Sequence, residues 1–384
     1  MAKVLEGVRV IEQGTYITGP AAGMLLADLG ADVVKVERPE TGDPFRAFKN
    51  GLYSPHFQTY NRNKRSITLD TRKAEDRQVF EQLIASADIY IQNFRPEAVR
   101  KLGLDEATLR SINPRLIYCS ITGFGQDGPA AGRPAYDTVA QAASGFLGLF
   151  INPENPRVVG PALADAITGF YAAYGILGAL HERNATGVGR RVDVSMLESM
   201  CHFNLDAFTH YLSAGEIMGP YSRPRVSQSY VFECKDRRWI ALHMSSPEKF
   251  WQGLAAAIDM PELLDDERFS SREGRIQFQD DLIGLLKNIF IARPLSVWCE
   301  RLLDRDVPHS PMYSPAEALD SPQARHLQIK VGAHHPSLGE WNTVRSPVSF
   351  DGERPLKVMA PPTLGEHNQE VRAELSRRYE SDEP

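Results

Sequence analysis

The sequence predicts an α/β protein whose larger part is a mostly parallel β-sheet covered by helices on both faces. Three observations predict it. Two β-rich runs, Val8-Arg9-Val10-Ile11 and Asp32-Val33-Val34-Lys35-Val36, bracket one helical pattern and make a β-α-β unit. The same alternation of strand and helix repeats as far as Ile121, which favours parallel pairing with crossover helices. The chain has 384 residues, 42% of them apolar and 24% charged. At roughly 150 residues per domain it is long enough for a second, smaller domain.

The elements follow in order. After the first strand, Pro20 opens a helical pattern through Met24, Leu25, Leu26 and Leu29, and Gly30 ends it before the second strand. Ser66-Ile67-Thr68-Leu69 is a strand, Phe80 through Ile84 a helix, Asp88-Ile89-Tyr90-Ile91 a strand, and Leu116 through Ile121 another. A long apolar stretch from Ala166 to Leu180 reads as a helix, with Asp165 just before it. Val192-Asp193-Val194-Ser195 is a strand leading into a helical pattern, Met196 through Met200, that begins a linker. Tyr230 through Cys234 and Trp239 through His243 read as a hairpin turning at Lys235-Asp236-Arg237-Arg238. Phe250, Trp251, Leu254 and Ile258, then Leu282 through Ile289, then Val297, Trp298, Leu302 and Leu303 have helical spacing, so a small α+β domain is expected near 225–325.

Composition narrows the function. Lys and Arg number 43 against 49 Asp and Glu, a net charge of -6 that offers no basic face for nucleic acid, so any anion site must be local. The four cysteines, Cys119, Cys201, Cys234 and Cys299, show no C-x-x-C pairing and are expected in the core. The ten histidines lack metal-ligand spacing, and His334-His335 reads as a surface loop. Met1 through Glu6 has no apolar h-region and no 18-residue apolar stretch is found, so a cytoplasmic location without membrane contact is expected.

Gly14-Thr15-Tyr16-Ile17-Thr18-Gly19-Pro20 follows the first strand but is not G-x-G-x-x-G, and no P-loop signature occurs, which disfavours a nicotinamide dehydrogenase or an NTPase. Basic residues instead follow strand ends: Arg38, Lys64-Arg65, Arg72 and Arg95. Ligands of open α/β sheets bind beyond the carboxyl ends of strands, so these cations are either phosphate contacts or a solvated rim. Asp165 likewise has two readings, an N-cap for the helix it precedes or a nucleophile in apolar surroundings near a helix dipole.

Several segments together carry a resemblance. Val33-Val34-Lys35-Val36-Glu37-Arg38-Pro39, Asn61-Arg62-Asn63-Lys64-Arg65-Ser66-Ile67, Asn93-Phe94-Arg95-Pro96, Gly123-Phe124-Gly125-Gln126-Asp127-Gly128-Pro129 and Pro362-Thr363-Leu364-Gly365-Glu366-His367 occur in the order seen in class III coenzyme A transferases, from about residue 4 to residue 375. The resemblance implies Asp165 as nucleophile, in Gly160-Pro161-Ala162-Leu163-Ala164-Asp165-Ala166-Ile167-Thr168-Gly169. It implies CoA contacts at Arg38, Leu69, Arg72, Asn93, Phe94 and Lys101; Tyr136 is expected to bind CoA with them, in the apolar lining around Asp165. No metal or organic cofactor is implied; an acyl-CoA and a carboxylic acid are the substrates.

Two departures stand out. Some members carry a glutamine where this chain has Ile17, and a glycine-rich loop is replaced by Arg223-Pro224-Arg225-Val226-Ser227-Gln228-Ser229-Tyr230. The acyl pocket is therefore this chain's own. Arg46, Arg223 and Arg225 are candidate partners for a second carboxylate of a dicarboxylic substrate. The family also holds 2-methylacyl-CoA racemases, whose base is a histidine before an aspartate. Here Ala135-Tyr136-Asp137 stands at that place, and a tyrosine with a pKa near ~10 is a poor base at neutral pH, so acyl transfer is favoured. Asp137 reads as a turn or helix cap. A third reading is a catalytically idle CoA-binding scaffold.

The architecture implied is a Rossmann-like large domain built from residues 1–200 and a return segment 326–384, a linker at 201–224 and the small domain at 225–325. An interlocked homodimer is expected, with the active site between the large domain of one subunit and the small domain of its partner.

Overall fold

The computed structural model describes residues 4–49, 51–354 and 357–380. Its described residues fall into two compact units, one of 1–147, 158–205 and 326–384, the other of 148–157 and 206–325.

The first unit opens with β1 (Arg9–Glu12), α1 (Thr18–Asp28), β2 (Asp32–Glu37), α2 (Pro55–Tyr60), β3 (Lys64–Thr68), α3 (Ala74–Ala85) and β4 (Ile89–Gln92). It continues through α4 (Pro96–Lys101), α5 (Glu106–Ile112), β5 (Ile117–Thr122), α6 (Asp137–Ala143), α7 (Leu163–Thr186), β6 (Arg191–Ser195) and α8 (Met196–Phe203). Six strands form one sheet in the order β3-β2-β1-β4-β5-β6, every pair parallel. The strand order reverses between β1 and β4, the place where open parallel sheets leave a crevice for ligands.

Both faces of the sheet are buried, and the period of two sorts the side chains. Val10, Val33, Ile89, Ile91, Ile117 and Cys119 pack with Ala22 and Leu26 of α1 and Ala172, Ile176 and Leu180 of α7. Ile11, Val34, Ile67, Tyr90 and Tyr118 face the other way, against Phe80, Leu83 and Ile84 of α3. Helix α7 is long and apolar enough to cross a membrane, contrary to the reading that no such stretch exists, yet 44% of that stretch is buried inside the protein. Its buried residues Ala172, Ile176, Ala179 and Leu180 pack against α1 and the sheet. At Gly169 a Cβ would lie 2.7 Å from Ala21 Cβ and 3.0 Å from the Thr18 carbonyl, so the two helices approach as closely as glycine permits.

Besides residues 148–157, the second unit runs from within α9 (Leu205–Ala214) through α10 (Ser222–Val226), β7 (Ser229–Glu233), β8 (Trp239–His243), α11 (Glu248–Ala257), α12 (Arg272–Gln277), α13 (Gln279–Phe290), α14 (Leu295–Asp304), β9 (His309–Pro311) and α15 (Pro315–Asp320). β7, β8 and β9 form an antiparallel sheet whose inward residues Tyr230, Phe232, Ile240 and Leu242 meet Trp251, Leu286, Phe290 and Trp298 in one core. β9 was not legible because it is three residues long and ends in proline, which suits only an edge.

After α16 (Pro322–His326), the chain re-enters the first unit with an antiparallel hairpin, β10 (Lys330–His335) and β11 (Gly339–Val344), and ends in α17 (Asn368–Glu380). Val371 and Leu375 of α17 complete the core on the α3 side of the sheet. His334-His335 is thus strand, not loop. His334 is exposed beside Glu340, but His335 is buried and bonds Glu366 at 3.1 Å. The Pro362-Thr363-Leu364-Gly365-Glu366-His367 segment is pinned to the edge strand β3: the His367 amide donates to the Ser66 carbonyl (3.0 Å) and the Gly365 amide to the Ser66 hydroxyl (3.0 Å).

Candidate active site

Asp165 is the third residue of α7, not its N-cap. Ala162 holds the cap position and has no side chain to offer. The cap comes instead from Asp137, 28 residues earlier in the chain: its Oδ1 accepts the amide of Ala164 at 2.8 Å and that of Asp165 at 3.4 Å, while Gln141 Nε2 donates to Oδ2 at 2.7 Å. This frees the Asp165 carboxyl from capping. Partial burial and the neighbouring Asp137 charge push its pKa up to about 7.

That shift has a thermodynamic consequence. A carboxyl whose folded pKa lies above its unfolded value costs nothing below about pH 4 and increasingly destabilises the fold as pH rises toward 7. Asp165→Asn is therefore expected to stabilise the protein at pH 8, on the order of 2–4 kcal/mol, and to leave it unchanged at pH 4. Thermal melts of both proteins at the two pH values check this; equal midpoints at pH 8 would contradict it.

Apolar and aromatic side chains gather beside the start of α7. Ile17, Ala21, Phe45 and Phe57 form a buried cluster on which Ala162, Tyr16, Tyr53 and Tyr60 pack. The Tyr60 hydroxyl is pushed to higher pKa by burial and then by the Asp165 and Asp137 charges. Tyr136, immediately before Asp137, meets Tyr16 edge to face at 5.8 Å and is 61% exposed.

The loop between β1 and α1 is fastened at nearly every backbone group. The Gly14 amide donates to Glu12 Oε1 (2.9 Å) and its carbonyl accepts from Lys35 Nζ (2.9 Å). Asn93 brackets Thr15, accepting its amide (2.9 Å) and donating to its carbonyl (2.8 Å). The Tyr16 amide donates to Asp43 Oδ1 (3.1 Å). Beneath the loop lies a buried ionic network. Lys35 pairs with Glu12 (3.0 Å) and Asp43 (3.1 Å), Lys64 with Glu12 (2.8 Å), and Arg46 with Glu37 (2.7 Å). Burial alone would raise the Glu12 and Glu37 carboxyls, but the adjoining cations outweigh it and hold both below their ordinary values.

The residue model of CoA-transferase family III matches residues 5–368. The chain belongs to CoA-transferase family III. It is 34% identical to a succinate–glutarate CoA-transferase of Agrobacterium fabrum over 97% of this chain and 95% of that one. It is 33% identical to a formyl-CoA:oxalate CoA-transferase of Streptomyces avermitilis, covering 97% and 95%. The crystal structure of a CAIB/BAIF family protein from Brucella suis superposes with a TM-score of 0.86 at 32% identity, over 97% of this chain and 99% of that one.

In this member of CoA-transferase family III, five of the residues singled out for CoA, Arg38, Leu69, Arg72, Asn93 and Phe94, follow the carboxyl ends of strands of the parallel sheet. Arg38 follows β2, is exposed and has no ion-pair partner among the described residues. Leu69 and Arg72 follow β3. The Leu69 side chain is buried in the core with its amide on the Glu37 carbonyl (2.9 Å), so it offers a ligand only backbone. Arg72 is exposed but already pairs with Asp70 at 2.8 Å, holding that carboxyl down at about 2. Asn93 and Phe94 follow β4, at the reversal of strand order; Asn93 Nδ2 also donates to the Thr18 hydroxyl (2.8 Å), and Phe94 is half-buried. Lys101 ends α4, exposed, with Glu97 at 2.8 Å. Tyr136 is set apart from these, at the start of α6 next to Asp137, whose carboxylate caps the helix that carries Asp165.

Other cations are spoken for. Arg46 is fully buried with both its Nε and Nη2 on Glu37 (2.7 Å each), so it is not a substrate arginine. Lys64 is buried on Glu12, and Arg65 bonds Asp32 and Glu374. Arg223 lies 3.6 Å from Asp206 and Arg225 3.2 Å from Asp280, both near the surface of the second unit. Among the described residues no group of three His, Cys, Asp or Glu side chains is placed to hold a metal ion. Cys119 and Cys234 are buried as expected, whereas Cys201 and Cys299 are only partly so.

Sequence reasoning missed Glu12, Lys35 and Asp43. One signal was available: Lys35 interrupts Val33-Val34 and Val36 in a strand buried on both faces, and a lysine there needs a buried acid.

Proposed function

We propose that the protein moves CoA from an acyl-CoA donor to a carboxylic acid through covalent intermediates on Asp165. The observation that carries the reading is the Asp165 carboxyl itself, in the first turn of α7, relieved of capping by Asp137 and half-buried beside an aromatic cluster. In its ionised form a carboxylate oxygen attacks the thioester carbonyl carbon; the carbon–sulfur bond breaks, giving an acyl–aspartyl anhydride and CoA thiolate. The thiolate attacks the aspartyl carbonyl, releasing the donor acid and leaving an aspartyl–CoA thioester. The acceptor carboxylate attacks that thioester, and the freed thiolate takes the new acyl group from the second anhydride, regenerating Asp165. No water is consumed, so the thioester is conserved, and the chemistry calls for no metal or organic cofactor.

The anhydride must be kept from water. Tyr136, Val139, Phe170, Tyr174 and Phe203 leave an exposed apolar face on α6, α7 and α8, larger than isolated surface residues explain. That face supports a homodimer in which a second copy covers the site. Arg38, Arg72 and Lys101 are assigned to CoA phosphates, Asn93, Phe94 and the Leu69 backbone to the edge along which CoA lies, and Tyr136 to the thioester end. Arg72 and Lys101 exchange a surface carboxylate for phosphate at little cost, since exposed ion pairs are screened by solvent. We place the enzyme in the cytoplasm. The relatives named for succinate, glutarate and oxalate make dicarboxylates the acceptors to try first.

The test is an exchange panel: acetyl-, succinyl- and formyl-CoA against succinate, glutarate, oxalate and monocarboxylates, following acyl-CoA products. Transfer without net thioester loss is expected. Release of free CoA, or exchange of the α-proton with solvent without transfer, would overturn the reading.

A further inference from the structure

The Gly14–Tyr16 turn is a heavily anchored stretch of backbone outside regular structure, and what it presents is one side chain. Tyr16 sits at φ 61°, a left-handed conformation that a bulky residue adopts only when its surroundings enforce it. Here they do: Glu12, Lys35, Asn93 and Asp43 hold the amide and carbonyl of Gly14 and of Thr15 and the amide of Tyr16. Such investment in one strained tyrosine points to where its ring goes. The ring packs edge to face on Phe45 (5.3 Å), Phe48 (6.4 Å) and Tyr136 (5.8 Å), and Tyr136 precedes the aspartate that caps the helix bearing Asp165. Asp43 secures both sides of this wall, because the same Oδ1 accepts the Tyr16 amide (3.1 Å) and the Phe45 amide (3.0 Å), while Lys35 Nζ lies 3.1 Å from Oδ2.

We propose that Tyr16 sets the size of the acyl group that reaches Asp165, restricting the site to compact acyl chains, and that Asp43 is the positioning residue that holds it there. The inference rests on the Asp165 reading above. Tyr16, Tyr136 and Phe48 form an aromatic wall, and Tyr16 packs on the same apolar cluster as Ala162, three residues before Asp165; a rigid apolar wall there discriminates acyl groups by bulk. The neighbouring Ile17, where some relatives of this family place glutamine, lies in the same apolar cluster and adds no polar group to it.

Tyr16→Gly is the decisive variant. Glycine adopts positive φ freely, so the change removes the backbone strain together with the ring, and the loop anchors remain. Tyr16→Phe keeps the wall and loses the hydroxyl. Each protein is incubated with acetyl-CoA, succinyl-CoA or benzoyl-CoA in the presence of hydroxylamine, and the rate of Asp165 labelling is read by peptide mass. Tyr16→Gly is expected to raise the benzoyl-to-acetyl rate ratio by roughly tenfold or more, with Tyr16→Phe within about twofold of wild type. Asp43→Asn, which keeps an acceptor for the two amides but loses the charge facing Lys35, is expected to fall between them. An unchanged ratio in Tyr16→Gly overturns the inference while leaving Asp165 as the nucleophile. No labelling of wild-type Asp165 by any donor overturns the Asp165 reading, and the inference with it.

Discussion

Asp165→Ala and Asp165→Asn are expected to lose CoA transfer by a factor on the order of 10⁴ or more, the scale seen when a covalent nucleophile is removed. The loss should fall on kcat, because the residues assigned to CoA follow β2, β3 and β4 and are untouched by the change. Intact mass after incubation with acyl-CoA should show an adduct on wild type and none on either variant, with CoA binding retained. The pH dependence has a definite sign. A carboxyl with a pKa of about 7 attacks only when ionised, so kcat/KM in wild type should rise tenfold per pH unit below 7 and level off above it. A variant retaining more than about one per cent of the activity, or a wild-type profile flat from pH 5 to 8, sinks the nucleophile assignment. The same shift that costs the fold stability at neutral pH leaves the carboxyl partly protonated before CoA arrives, so a site that gives up stability for reactivity is expected here.

Much of this arrangement is written locally. Parallel strands buried on both faces are rich in β-branched residues, so Val8–Ile11, Asp32–Val36 and Asp88–Ile91 identify themselves without reference to any partner. Asp165 is legible as a carboxylate at a helix start because an apolar helix announces its first turn. What is not legible is whatever depends on distant residues. The cap of α7 comes from Asp137, and nothing in the sequence around Ala162, which cannot cap, signals a carboxylate supplied from so far away in the chain. Arg46 looks like a surface cation in sequence, and only folding brings Glu37 and the Pro362 carbonyl around it. The β10–β11 hairpin escapes because, although its strands alternate between exposed and inward positions, the inward residues include Ala333, His335, Gly339 and Thr343 rather than a run of large apolar side chains, and His335 is buried beside Glu366 and the Tyr53 ring. Buried charge is read as surface charge until its partner is known.

Glu12→Gln tests how far that hidden network matters. Glu12 is fully buried, and its two oxygens serve two lysines, Lys35 at 3.0 Å and Lys64 at 2.8 Å, as well as the Gly14 amide. After the substitution Lys35 keeps Asp43 and the Gly14 carbonyl, but Lys64 keeps only neutral acceptors, the Pro20 carbonyl and Asn61 Oδ1, both at distances near 2.9 Å in wild type. Breaking a buried pair by removing one partner costs about 3–5 kcal/mol, enough to lower the thermal midpoint by roughly 10 °C in a unit of this size. The pH dependence identifies the lysine responsible. Burial already draws Lys64 down to about 8 with Glu12 beside it, and without Glu12 it must fall further below its unfolded value. A lysine with a lowered folded pKa regains stability as pH rises toward its unfolded value, so the variant's deficit should shrink between pH 6 and pH 9. A constant deficit across that range would place the cost elsewhere, and a midpoint within 2 °C of wild type at pH 7, about 1 kcal/mol or less, would mean the network does not stabilise the fold. Because the same carboxylate holds the turn that carries Tyr16, folded Glu12→Gln protein should also discriminate less between compact and bulky acyl groups, tying the deepest charge in the sheet to selectivity at its edge.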